Sequence, residues 1–334
     1  MTNRVHATTT ALTEHLSLEL SALNHRLRAT LDSDVTLIRS IAEYIVSAGG
    51  KRLRPVLVFL TAQALGADAT EARVVDLAAT IELVHTATLL HDDVVDESEL
   101  RRGRPTANAE FGNAASVLVG DFLYSRAFQI MVGTGQMRVL EIMAEATNRI
   151  AEGEVMQLMA LGNLDLTETD YMQVIEAKTA KLFEAAGALG AIAANADDAT
   201  QRSMAEFSRR LGVAFQIADD VLDYRGDAES LGKSLGDDLA EGKLTLPIII
   251  ALDRGTPETK TMLKQIIAEN RVEHHHERLP EVLAALESCG ALDASMKRAQ
   301  DQASAAAQQI AQLPESQAKK WLLELCAFAV KRSA

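Results

Sequence analysis

Apolar residues recur at the three- and four-residue spacing of an α-helix through 11–48, 54–66, 70–97, 114–132, 136–161, 168–195, 198–225, 245–270 and 277–331, the last two blocks broken by turns. The two-residue alternation of a half-buried strand is nearly absent. Gly, Pro or short polar runs punctuate the pattern at Gly49-Gly50, Gly66-Ala67-Asp68, Gly103-Arg104-Pro105, Gly133-Thr134-Gly135, Ala196-Asp197-Asp198 and Arg254-Gly255-Thr256-Pro257. Connections this short suit antiparallel neighbouring helices, so the pattern predicts an all-α bundle. No low-complexity linker interrupts it, and residues 1–334 are expected to form a single domain.

Composition sharpens that picture. The chain is 48% hydrophobic but only 4% aromatic, with six prolines, which favours helices over sheets. A net charge of −14 argues against general nucleic-acid binding, which needs a basic surface. Two cysteines are too few for a disulfide framework or a zinc site. No signal-type segment opens the chain, and no stretch approaches the ~20 consecutive apolar residues of a membrane span. The expectation is a soluble, cytoplasmic protein.

Two aspartate clusters of the same form interrupt apolar helices: Asp92-Asp93-Val94-Val95-Asp96 and Asp219-Asp220-Val221-Leu222-Asp223. In each, the first and last aspartates are four residues apart, on one helix face about one turn, ~5.4 Å, from each other. Three carboxylates in five residues repel one another and call for a cation or a solvated face. Such oxygen ligands suit a hard divalent ion such as Mg2+, which uses one or two carboxylates together with substrate phosphate. A solvated ion-pair patch is the better reading of one such cluster alone; the recurrence disfavours it.

Basic residues stand beside these acids. Arg101 and Arg102 follow the first cluster, and a substrate with its own oxygen anions, bridged by Mg2+ and paired with guanidiniums, explains the mixture; diphosphate is the natural candidate. Gly49-Gly50-Lys51-Arg52-Leu53-Arg54-Pro55 places bases at a helix entrance, where side chains and backbone amides bind phosphate, although a surface turn is an equal reading of the motif by itself. It lacks the glycine spacing of a P-loop. Lys178 and Thr179, with Gln216, Lys233 and Lys243 around the second cluster, add donors, and Lys233 and Lys243 flank Asp237 and Asp238 in a predicted loop. His85 lies about two turns before Asp92 on nearly the same face. Glu82 and His85 also have the Glu-x-x-His spacing of di-iron bundles, echoed by Glu273 and His276, but the latter pair sits in a polar, His-rich segment without an apolar helix behind it. Gly133-Thr134-Gly135 reads as a turn.

Taken together, these residues resemble the trans-isoprenyl diphosphate synthases, most closely the long-chain bacterial members of the octaprenyl diphosphate synthase type. The match runs from about Ile45 to about Ile250 and includes the Gly-Gly-Lys-Arg-x-Arg-Pro entry, the first aspartate motif through Arg101-Arg102-Gly103, Gly120-Asp121, Lys178-Thr179, and Phe215-Gln216 leading into the second motif with Lys233 after it. The resemblance implies the all-helical isoprenoid synthase fold with a central substrate cavity, and a homodimer. It implies that Asp92, Asp96, Asp219 and Asp223 hold Mg2+ on an allylic diphosphate, with Asp93 and Asp220 as catalytic companions. Arg101, Lys178, Thr179, Gln216, Lys233 and Lys243 would contact that diphosphate. Lys51, Arg54, His85 and Arg102 would bind isopentenyl diphosphate. The implied reaction is head-to-tail condensation, giving a long all-trans polyprenyl diphosphate, octaprenyl by the resemblance, for a quinone side chain. Transient membrane contact would serve product release.

Counting back from Asp92 along its helix, a growing tail meets Thr88 and Ala87 one turn away. These are small, where the family's short-chain members carry bulk, and helices bearing Phe128, Met131 and Met143 offer a deeper floor. Two readings compete. A class I terpene cyclase shares the fold and first cluster but has a mixed second metal motif and no need for Lys51 and Arg54. A noncatalytic subunit of a heteromeric prenyltransferase would be expected to lose one cluster.

Overall fold

In a computed structural model, the protein is described over residues 10–47, 50–101, 103–225, 235–269 and 275–331. Contacts divide the chain into two compact units, a partition that the continuous helical pattern did not announce. Unit 1 takes the described parts of Met1–Thr147, Leu182–Ser208 and Ala307–Leu325; unit 2 takes those of Asn148–Lys181, Arg209–Ala306 and Cys326–Ala334.

Unit 1 is organised around α4 (Ala72–Val95), which packs against α1 (Ser17–Thr30), α3 (Leu53–Ala64) and α6 (Asn113–Gly133). Helix α4 is apolar on most of its circumference and buries Val74, Leu77, Ala78, Ile81, Val84, Ala87 and Leu90, as expected of a central helix. Among the described residues it is the one helix long and apolar enough to cross a membrane, and 72% of its apolar window is buried inside the fold. Helix α2 (Thr36–Ser47) packs on α6 and on the short α5 (Ala107–Phe111). The predicted block 11–48 is therefore split, and the polar run Asp32-Ser33-Asp34 marks the break. After α4 the chain forms a minimal antiparallel hairpin, β1 (Leu100–Arg101) with β2 (Arg104–Pro105), which the sequence pattern did not predict. It is pinned by Tyr44, whose hydroxyl donates to the Pro105 carbonyl at 2.6 Å, and by Thr106, whose side chain caps α5.

In unit 2 the later part of α10 (Asp198–Arg225) presents Val213, Ile217, Val221 and Tyr224 to one core. That core also takes residues from α8 (Glu168–Ile175), α12 (Leu246–Arg254), α13 (Pro257–Glu269), α14 (His275–Ser288) and α15 (Ala291–Gln309). A capping box starts α8: the Thr167 side chain accepts from the Asp170 amide, and the Asp170 carboxylate accepts from the Thr167 amide. The predicted helix 168–195 is not uniform, because Glu176–Ala180 forms a π-helical turn before α9 (Lys181–Ala193). Helix α7 (Met137–Ala160) lies close against that turn. A Cβ at Gly153 would stand 2.6 Å from the Lys178 nitrogen, so only glycine allows the approach.

Candidate active site

The two aspartate clusters share one geometry within their own units. Asp92 and Asp96 are half-buried while Asp93 is only 4% exposed; Asp219 and Asp223 are half-buried while Asp220 is only 3% exposed. In each case the outer carboxylates are accessible and the middle one is turned inward.

In unit 1 the first cluster ends α4, with Asp96 at the C-cap donating its amide to the Asp92 carbonyl at 2.8 Å. The hairpin brings Arg101 back so that Nε and Nη2 both donate to Asp93 Oδ1, at 2.8 and 2.6 Å. Asn108 fixes the segment by donating to the Asp93 and Ser98 carbonyls. The preceding turn is clamped to α6: Ser116 donates to the Leu90 carbonyl, and the His91 ring stacks on Tyr124. Gly120 makes room for that ring, since a Cβ there would lie 2.3 Å from His91 Nε2. The Gly120-Asp121 motif thus seats the end of the cluster-bearing helix.

The glycine-basic entry leads into α3. Lys51 is exposed, Arg52 occupies the N-cap position with a left-handed φ of 48°, and Arg54 lies in the first turn. Arg54 Nη1 is 3.0 Å from His85 Nε2, and its guanidinium sits 4.6 Å from the Phe183 ring centroid. Arg52 turns instead to Glu82 and forms an ion pair with it. Glu82 is therefore engaged by an arginine, and the Glu-x-x-His spacing carries two separate contacts. Arg102, like Lys233 and Glu273, falls outside the described residues.

In unit 2 the middle carboxylate has neutral partners. The Tyr171 hydroxyl donates to Asp220 Oδ2 at 2.5 Å, Gln216 Nε2 donates to Oδ1 at 2.8 Å, and the Thr179 hydroxyl donates to Gln216 Oε1 at 3.0 Å. Burial and the neighbouring charges of Asp238 and Asp219 push the Asp220 carboxyl well above the usual carboxylate range. Burial and Asp220 likewise hold the Tyr171 hydroxyl protonated, as a donor must be. The predicted loop at Asp237 and Asp238 is a short helix, α11 (Asp237–Ala240), and the Asp238 amide donates to Asp223 Oδ2 at 3.3 Å. Lys178, on the π-helical turn, pairs with Glu154 at 2.5 Å, and Lys243 pairs with Glu241 at 2.6 Å.

Of the residues proposed to set product length, Ala87, Met131 and Met143 are fully buried and Thr88 is half-buried. Phe128 is 42% exposed on α6, so within unit 1 it does not stand in the interior beside the two methionines. The sequence offers no signal for Glu154 or Tyr171, groups Arg52 with the phosphate-binding bases of the entry motif, and shows Glu82 only as a metal candidate. A carboxylate inside the apolar run of α4 was the one available signal for Glu82.

Among the described residues no group of three or more His, Cys, Asp or Glu side chains is arranged to hold a metal by itself. The donor set nevertheless fits a hard divalent ion that completes its shell with substrate phosphate, since two accessible carboxylates one turn apart are all such a site needs from each cluster. Repulsion among Asp219, Asp220 and Asp238 is what a cation would relieve.

Comparison with known proteins covers nearly the whole chain. Residues 35–286 match the polyprenyl synthetase family model. The octaprenyl diphosphate synthase of Escherichia coli (strain K12) is 47% identical over 321 residues, 96% of this chain and 98% of that protein. Among solved structures, a polyprenyl synthase from Caulobacter crescentus CB15 complexed with calcium and isoprenyl diphosphate has a TM-score of 0.92 at 42% identity, covering 98% of each chain. A decaprenyl diphosphate synthase from Rhodobacter capsulatus has a TM-score of 0.91 at 40% identity, covering 98% of this chain and 99% of that one.

Proposed function

The chain belongs to the polyprenyl synthetase family, with its all-helical isoprenoid synthase fold, and is a prenyltransferase that makes a long-chain polyprenyl diphosphate; from that premise we propose the following chemistry and site roles. It condenses isopentenyl diphosphate head-to-tail onto an allylic diphosphate such as farnesyl diphosphate. The product is all-trans octaprenyl diphosphate, destined for a quinone side chain. The observation that carries this reading is the repeated cluster, in which two half-buried carboxylates flank a buried one.

Asp92 and Asp96 in unit 1, and Asp219 and Asp223 in unit 2, are the residues that would hold Mg2+ for the allylic diphosphate. The calcium and isoprenyl diphosphate named for the Caulobacter structure support a divalent-ion site of this kind. When bound, Mg2+ would supply positive charge to neutralise that gained by the departing pyrophosphate. Asp93 and Asp220 keep the outer carboxylates in place, because their own oxygens are taken by Arg101 and by Tyr171 and Gln216. Arg101, Lys178, Thr179, Gln216, Lys233 and Lys243 orient that leaving group and stabilise the charge it gains. Lys51, Arg54, His85 and Arg102 hold the acceptor diphosphate without metal. The allylic C–O bond breaks with its electron pair on pyrophosphate, and the isopentenyl double bond attacks the resulting cation. A proton then leaves to the released pyrophosphate, regenerating an allylic diphosphate. Apolar walls exclude the water that would quench the cation.

Ala87 and Thr88 form the upper wall of the product path and Met131 and Met143 its floor. The chain acts as one synthase domain, since the family match spans parts of both units. It is a cytoplasmic homodimer: both cysteines are free thiols, and α6 exposes Val117, Leu118, Phe128 and Val132, an apolar stripe that a second copy would cover. The long product leaves by transient contact with a membrane.

Incubation with farnesyl diphosphate, radiolabelled isopentenyl diphosphate and Mg2+, followed by chromatography of the dephosphorylated products, tests the reading. A ladder ending near octaprenol is expected, and absence of elongation refutes it.

A further inference from the structure

We propose that the buried Arg52–Glu82 ion pair is a positioning device for the acceptor site, which fixes where Arg54 and His85 stand. The inference rests on the proposed assignment of Lys51, Arg54 and His85 to isopentenyl diphosphate.

Arg52 lies between Lys51 and Arg54 and looks, in the sequence, like one more phosphate-binding base. Its side chain is instead withdrawn from solvent, at 15% exposure, against Glu82 at 8%. Its φ of 48° is a conformation that residues with a side chain avoid, so the surroundings must enforce it. The Arg52 carbonyl accepts the first helical hydrogen bond of α3, from the Val56 amide at 2.9 Å, which makes this residue the point where the helix is launched. Two residues on, Arg54 reaches His85 at 3.0 Å. Glu82 and His85 are three apart on α4 and so lie on the same face. The start of α3 is thus tied to α4 by two neighbouring rungs, one facing the proposed substrate and one buried.

The buried rung has nowhere else to go. Arg52 and Glu82 line a recess whose other walls are largely apolar, including Leu27, Leu31, Leu83 and Leu123. Glu82 Oε2 is buried without a hydrogen-bond partner, so Arg52 supplies the compensation for that carboxylate. In such surroundings a charge pair is strong and directional, and loss of one partner leaves a buried charge exposed to the full desolvation penalty. A pair with these properties resists displacement, and it holds the backbone turn that aims Arg54.

Stability and positioning are separable, because an apolar replacement of both partners removes the pair without stranding a charge. Steady-state kinetics of the full-length enzyme, with each substrate varied in turn, should be compared for wild type, R52M/E82L, R52K and R54Q, with thermal unfolding as the fold check. The R52M/E82L variant is expected to raise KM for isopentenyl diphosphate by about ten- to a hundredfold while KM for the allylic substrate stays near wild type. R52K, which keeps the charge, should recover to within about fivefold of wild type. If R54Q raises KM for isopentenyl diphosphate and R52M/E82L does not, the positioning role is wrong and the acceptor assignment stands. If R54Q leaves that KM unchanged, the acceptor assignment fails and this inference fails with it. Equal change in both KM values and kcat assigns the pair to general stability and overturns the proposal. Should R52M/E82L not fold, R52Q/E82Q, which removes both charges and keeps two groups able to hydrogen-bond each other, carries the same comparison with the same outcomes.

Discussion

The two aspartate clusters space their carboxylates alike and bury them alike, yet their inward carboxylates are held by opposite means. Asp93 is bound by the guanidinium of Arg101, a cation. Asp220 is bound by a phenol and an amide, next to the charges of Asp219 and Asp238, and its carboxyl is pushed toward the neutral form. The helices behind them differ as well. Four residues before Asp92 stands the small Thr88, and four before Asp219 stands Phe215. Motifs of the same form therefore serve different surroundings: the first is paired with a cation and lies on the helix proposed to line the product path, and the second lies in a set of neutral donors around a surplus of acid.

The largest effect should come from the outer carboxylates, where the clusters are proposed to be equivalent. Asp92→Asn and Asp219→Asn should each lower kcat by about 10³-fold or more with substrate binding measured separately. A drop in only one of them would break the equivalence. Next in size is product length, where they should differ. Ala87→Tyr should end elongation at about C15 to C20 on the chromatogram, the range the family pattern implies, while Phe215→Ala should leave the long product in place. An unchanged distribution for Ala87→Tyr would remove the product path from the first cluster.

The inward carboxylates should differ in stability. Asp93→Asn deprives Arg101 of its partner and should cost about 1–3 kcal/mol in thermal unfolding, toward the low end because Arg101 is one-third exposed. Asp220→Asn should cost about 1 kcal/mol or less, since the amide oxygen can accept from Gln216 and the Tyr171 hydroxyl can turn to accept from the amide nitrogen. The reverse order would contradict the account of how each is held. The smallest effect belongs to Glu154→Gln. The pair with Lys178 is partly exposed, so KM for the allylic substrate should change by no more than about fivefold.

The sequence made the helices and the clusters legible because both follow from periodicity: apolar faces repeat along the chain, and carboxylates four apart share a face. Residues 198–225 carry one unbroken helical pattern and form one helix, and the short break at 31–35 shows in the sequence only as Asp32-Ser33-Asp34. What could not be read is each cluster's partner set. Arg52 with Glu82, Tyr171 with Asp220, and Glu154 with Lys178 are separated by 30, 49 and 24 positions, and packing rather than spacing brings them together. The π-helical turn was hidden for a related reason: one helical pattern spans 168–195, and the close approach allowed by Gly153 shows only once α7 is in place. Arg52 was misleading by its company, since basic neighbours suggested a shared role that its buried position denies.

The claim that both clusters bind the allylic diphosphate through Mg2+ is tested most directly by calorimetric binding of a non-ionising analogue, farnesyl thiodiphosphate, with Mg2+ and with EDTA, to wild type, Asp92→Asn and Asp219→Asn. Mg2+ should tighten binding in the wild type, and each variant should lose most of that gain. Equal affinity in Mg2+ and EDTA, or a Mg2+ gain that survives in either variant, would contradict it.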